Sequence, residues 1–138
     1  YKRQAFTPLV VAGSLLVGAT TAIILLCSHF HQETVDRNAG KMSPIVRLGT
    51  ARAAGVLKAA VVSTYAATML LVTAGVFPLA CAAILPLTLG RARKLIELVS
   101  DFHAVPLRIK PLKLLAAKWH SAFGLSFASA VLWHSFAA

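Results

Sequence analysis

The stretch whose residue types suit chemistry runs His29-Phe30-His31-Gln32-Glu33-Thr34-Val35-Asp36-Arg37-Asn38-Ala39-Gly40-Lys41-Met42-Ser43-Pro44-Ile45-Val46-Arg47-Leu48-Gly49. It holds two of the chain's four acids. Gln32, Glu33 and Asp36 are spaced i, i+1, i+4, so on a continuous helix they share a face with His29. Hard oxygen ligands of this kind suit Mg²⁺ bound together with a diphosphate. Arg37, Lys41 and Arg47 then hold the remaining phosphate charge. Gly40 suits a left-handed turn that ends the helix. A plainer reading stays open beside this one. The segment is then a solvated loop at a membrane surface, and its charges only set topology.

The elements around this stretch follow from where charge is missing. Residues 4–32, 59–90 and 119–138 carry no Lys, Arg, Asp or Glu. A helix needs about 20 mostly apolar residues to cross a bilayer. The first and third gaps each fit one span. The second is too long for one and holds Pro78 near its middle, so it divides into two spans joined by a turn around Gly75–Pro78. The expected fold is an all-α, polytopic transmembrane bundle in one membrane domain, with spans near 6–28, 53–74, 78–99 and 112–138. Thr7 and Pro8 suit the start of the first span. Pro86 should kink the third. Gly13, Ser14, Gly18 and Ala19 in the first span, and Ala59, Ala60, Ser63 and Ala67 in the second, offer small residues for close helix packing.

The formal net charge is +10, with 14 Lys and Arg against four acids. In a soluble protein that balance would point to nucleic acid. Here the cations lie between spans or at their ends, so the membrane surface accounts for them and no nucleic acid is implied. With four spans, twelve of the 14 cations fall on one side, and only Lys2 and Arg3 on the other. All four acids share the cation-rich side. That side is expected to face the cytoplasm or the stroma. Cys27 and Cys81 lie in apolar runs and read as small buried hydrophobes. Tyr1 is not a start residue, so the sequence is expected to begin mid-chain or after processing.

The segment resembles the second Asp-rich motif of the UbiA superfamily of intramembrane prenyltransferases. That motif is an acid, three residues, an acid, two residues and Ala-Gly-Lys. Asp36-Arg37-Asn38-Ala39-Gly40-Lys41 matches its second half, whereas Gln32 stands where the first acid usually falls. Phe30-His31-Gln32 and Ser43-Pro44-Ile45-Val46-Arg47-Leu48-Gly49 look most like the cyanobacterial and plastid branch. That branch attaches a phytyl chain to 1,4-dihydroxy-2-naphthoate, with loss of the carboxylate, in phylloquinone and menaquinone biosynthesis. The resemblance implies that this chain is the C-terminal half, the last four helices, of a nine-helix fold. It implies Mg²⁺ on Glu33 and Asp36, assisted by Gln32. It implies a prenyl diphosphate held by Lys41, Arg47 and Arg37, and an aromatic acceptor. Mg²⁺ would neutralise the leaving diphosphate as a Lewis acid.

The family's first Asp-rich motif has no counterpart here, so the chain is expected to need an N-terminal half and to be inactive alone. Glu97 and Asp101, spaced i, i+4, are expected to pair with Arg93 or Lys94 rather than to assist. His120 and His134 lie in the last span beside Trp119 and Trp133. They read as interfacial residues bonded to a neighbouring helix, or as axial ligands of chlorophyll or haem. His103 reads as a loop residue. Two functions are therefore weighed: phytyl transfer in company with the missing half, and a non-catalytic, family-derived subunit of a larger, pigment-binding photosynthetic complex. Either places a multi-pass protein among membrane lipid, in a plastid thylakoid or envelope or in a cyanobacterial membrane. Cysteines introduced at Ser43 and Ala104 should both react with an impermeant thiol reagent from the same side. Opposite accessibility would overturn the four-span topology.

Overall fold

In the computed structural model, which describes residues 6–137, Thr7 caps the first helix. Its Oγ1 accepts from the Val10 N–H at 3.3 Å, and Pro8 occupies the first turn, where its missing N–H costs nothing. Helix α1 (Pro8–His29) passes through a 3₁₀ turn at Phe30–Gln32 into α2 (Glu33–Asn38). Helix α3 (Pro44–Leu48) leads into α4 (Thr50–Thr73), and a second 3₁₀ turn, Leu79–Ala83, leads into α5 (Ile84–Phe102). Helix α6 (Pro106–Ile109) and α7 (Leu112–Ala137) complete the chain. The described residues contain helices and turns and no strand, as expected of an all-α fold.

The four long helices form the bundle, in which α7 packs on both α5 and α1. Its buried face is Leu112, Ala116, Trp119, Phe123 and Ala130, recurring at helical spacing. Tyr65 of α4 joins the aromatic cluster, edge-on to Trp119 and Phe123 with ring centres 6.1 and 6.2 Å away. A polar chain runs through this core. Trp119 Nε1–H donates to Tyr65 Oη at 2.8 Å, and Tyr65 Oη lies 2.7 Å from Thr88 Oγ1. Thr88 donates its hydrogen to Ile84 O, so the Tyr65 hydroxyl must donate to Thr88. One directional chain thus ties α7, α4 and α5 together.

Pro8–Asn38 and Thr50–Thr73 are long and apolar enough to cross a membrane. At 1.5 Å per residue the 22 residues of α1 alone span about 33 Å, enough to cross the hydrocarbon without α2. The helices at the expected third and fourth spans do not reach that composition. Arg91, Arg93, Lys94, Glu97 and Asp101 interrupt α5, and Lys113, Lys118, His120 and His134 interrupt α7. At the expected third span, winding begins at Leu79 as a 3₁₀ turn capped by Pro78 and becomes α-helical at Ile84, with Pro86 in the first turn of α5. Pro lacks the N–H that would continue a helix backwards, so it sets a start rather than a kink.

The small-residue faces are used selectively. Gly13 is buried, and a Cβ there would stand 3.0 Å from Phe127 Cζ. Gly18 faces open space, because the buried positions Gly13, Leu16, Thr20, Ile23 and Cys27 follow another phase of the helix. On α4, Ala60, Ser63 and Ala67 line a groove against α1 instead of a sealed contact.

The charged connections gather at one end. Helix α6 packs on the Phe30–Gln32 turn, and His103 Nδ1 lies 3.1 Å from Thr50 Oγ1. The connection from α4 to α5 closes the other end. It turns at Gly75 (φ +73°), close to the expected position. Tyr65→Phe should lower stability by about 1–3 kcal/mol, because the buried Trp119 N–H is left without an acceptor. Thermal unfolding in detergent checks this. A neutral result would mean that the chain adds nothing to aromatic packing.

Candidate functional site

The site starts from a backbone turn. After α2, Gly40 adopts φ +68°, which is strained for any residue with a Cβ. That conformation lets Lys41 N–H bond Asp36 O at 2.8 Å and Gly40 N–H bond Arg37 O at 3.1 Å, a Schellman cap. The reversal returns the Lys41 side chain to Asp36, with Nζ 3.4 Å from Oδ1. From the other side His29 Nδ1 lies 3.2 Å from Asp36 Oδ2. Asp36 is therefore a buried carboxylate held between a lysine and a histidine.

Ser43 completes the group. It precedes α3 in extended conformation yet does not cap it. Its Oγ is buried and has no hydrogen-bond partner among the described residues. Burial works to raise the Asp36 pKa. Ser43, His29 and Lys41 work against it, and the carboxyl settles below its ordinary 3.8. Ser43 acts here by proximity, since its Oγ falls short of a formed hydrogen bond to the carboxylate. A buried hydroxyl beside a buried carboxylate is uncommon and leaves a hard oxygen donor at the site.

The other expected residues divide. Glu33 is half-buried and pairs with Arg37 along α2, so both are turned to each other rather than to Asp36. Gln32, half-buried, sits where the 3₁₀ turn meets α2. Arg47 is exposed and donates from Nε to Met42 O at 3.0 Å, which stiffens the loop that carries Lys41 and Ser43. Among the described residues no three His, Cys, Asp or Glu side chains gather as a metal cluster. Mg²⁺ does not need such a cluster, because it binds through one or two carboxylates plus substrate phosphates. The Asp36 carboxylate and the Ser43 hydroxyl are the two buried hard oxygens of this segment, and their chemistry would suit that mode.

Elsewhere, Glu97 and Asp101 are exposed and make no ion pair among the described residues, contrary to the expected pairing with Arg93 or Lys94. His120 Nδ1 bonds Thr20 Oγ1 of α1 at 2.8 Å. Thr20 gives its own hydrogen to Val17 O, so Nδ1–H is the donor and Nε2 keeps its lone pair. His134 is exposed, fourteen residues further along α7. Sequence reasoning missed Ser43. A lone serine before Pro44 looks like an ordinary helix cap, and only the fold shows its hydroxyl turned from that role.

The class that the fold shows is an all-helical protein with two helices long and apolar enough to cross a membrane, and with a buried acid, a returning lysine and a buried hydroxyl gathered at its charged end. Two curated relatives narrow it. The chain is 39% identical over 130 residues to the 2-carboxy-1,4-naphthoquinone phytyltransferase of Synechocystis sp., covering 94% of this chain and 42% of that enzyme. It is 36% identical over 115 residues to the chloroplastic 2-carboxy-1,4-naphthoquinone phytyltransferase of Arabidopsis thaliana, covering 83% of this chain and 30% of that enzyme. The chain is thus a homologue of UbiA-type naphthoquinone phytyltransferases, as the motif indicated, and spans less than half the length of either relative. No protein-family profile and no solved structure matches it.

The lowered Asp36 pKa has a defined sign. Its contribution to stability is complete above 3.8 and is lost as pH falls through the folded-state value. Asp36→Asn should therefore lower stability at neutral pH and flatten the acid-side loss. Unfolding measured from neutral into acid pH checks it; parallel curves for the two proteins would contradict the assignment.

Proposed function

We propose that this chain supplies the diphosphate-binding part of an enzyme that transfers a phytyl chain to a naphthoquinone precursor. The observation that carries the proposal is the buried Asp36 carboxylate and Ser43 hydroxyl met by the exposed Lys41, within a chain that aligns over 130 residues with a phytyltransferase. In this reading the four long helices sit in a membrane, the cation-rich end faces the stroma or cytoplasm, and α2, α3 and α6 lie at that surface.

The chain's own residues have separable tasks. Lys41 holds phosphate oxygens, and Arg47 and Arg37 share the remaining charge. Ser43 Oγ donates to an anionic oxygen, which satisfies its buried hydroxyl. His29 orients the Asp36 carboxylate. Asp36 and Ser43 would hold Mg²⁺, with Glu33 and Gln32 nearby in sequence to complete the oxygens once Arg37 releases Glu33. When bound, the metal supplies charge neutralisation for the departing diphosphate. Charge placed where it develops is the largest catalytic effect such a site can have.

The test is a chimera in which this chain replaces the aligned part of the Synechocystis enzyme. It should transfer phytyl groups in liposomes with Mg²⁺. Asp36→Ala should slow turnover about a thousandfold, equivalent to a loss of roughly 4 kcal/mol in transition-state stabilisation. Ser43→Ala and Lys41→Ala should lose less, because neighbours share the phosphate charge. A chimera of normal activity that tolerates Asp36→Ala, with unchanged Mg²⁺ dependence, would exclude this role and leave a non-catalytic membrane subunit.

A further inference from the structure

Two cavities merge along the outer side of α7, away from Asp36. One, about 450 Å³, is lined by His31, Lys110, Lys113, Leu114 and Ala117. The other, about 540 Å³, shares Leu114 and Ala117 and continues past Arg91, Lys118 and Ser121 to Leu125. Asp36, Lys41 and Ser43 line neither, and no carboxylate does. The lysines and Arg91 are exposed and have no ion-pair partner among the described residues.

The groove has a polarity along its length. Lys110 and Lys113 stand at the charged end of the bundle, beside the Phe30–Gln32 turn that carries His31. Five residues on comes Lys118, and seven further is Leu125, roughly 10 Å deeper at 1.5 Å per residue. Cations at the rim and hydrocarbon below match the polarity of one leaflet. Basic pockets between membrane helices on the cytoplasmic side bind anionic lipid head groups.

We propose that this groove is a binding site for an anionic phospholipid. His31, Lys110 and Lys113 hold the head-group phosphate. Lys118, rooted deeper on α7, extends its charged end back toward it. The Arg91 guanidinium turns the other way, to Leu87 O at 3.4 Å, and adds positive charge lower in the groove. One acyl chain lies over Leu114, Ala117 and Leu125. The groove's charge disfavours a zwitterionic head, whose ammonium would meet the lysines. A neighbouring helix is a poorer occupant, since it would bury those cations without a counter-charge. The site is independent of the diphosphate reading.

The chain is reconstituted in nanodiscs containing equal phosphatidylglycerol and phosphatidylcholine, and retained lipid is identified by native mass spectrometry. Phosphatidylglycerol should be retained in preference. The double variant Lys113→Gln, Lys118→Gln should weaken that preference by about tenfold or more, as expected for two cations near an anionic group. Arg93→Gln, Lys94→Gln, which removes equal charge outside the groove, should keep it. Helical circular dichroism identifies misfolded variants, and Lys118→Arg, which preserves charge, should bind as the parent does. Equal retention of both lipids overturns the proposal, as does equal loss in both double variants. Displacement of the lipid by inorganic diphosphate overturns it too, by showing a site for a soluble anion.

Discussion

The hydroxyl of Tyr65 is the point on which the bundle turns. It accepts from Trp119 on one side and donates to Thr88 on the other, at 2.8 and 2.7 Å. In an apolar core each of those groups is costly if unpaired, so the helices that carry them cannot rotate independently. Fixing α7 in this way turns Trp119 and Phe123 inward. It also brings His120 to Thr20 of α1 and leaves Lys110, Lys113 and Lys118 on the outer side. Generic apolar packing would tolerate several rotations of these small-residue helices; a directional hydrogen-bond chain does not.

The polar end obeys the same rule with charge. Asp36 is buried, which by itself disfavours ionisation, and the fold compensates with Lys41 and His29. The compensation depends on the backbone. Gly40's positive φ makes the Schellman cap, and the cap sends Lys41 back past the helix end. Ser43 is the group left over. Lys41 and His29 compensate the Asp36 charge, and the Ser43 hydroxyl lies buried beside them.

The homology and the geometry support each other at different levels. The phytyltransferase relatives align through the segment that carries Asp36, yet the chain spans only 42% and 30% of their lengths. The described residues supply one buried acid rather than a full ligand cluster. In the proposed role a lysine and a hydroxyl would take the phosphate, and the carboxylate would meet it only through a bound cation.

Composition and spacing alone were enough for the helical class, the helix start at Thr7–Pro8, the turn at Gly75 and the special conformation of Gly40. Each depends on chemistry local to a few residues: a side-chain cap, an absent N–H, an absent Cβ. The Asp36–Arg37–Asn38–Ala39–Gly40–Lys41 run was likewise sufficient for the family resemblance. Tertiary structure decided what local rules cannot. It turned Glu33 to Arg37 and Asp36 inward, although both acids are near neighbours in sequence. It used Gly13 for packing while leaving Gly18 open. It also buried Ser43 beside Asp36. The reason is common to these. A side chain's partner depends on the rotation and depth of helices far away in sequence, and those are set by which buried polar groups must meet.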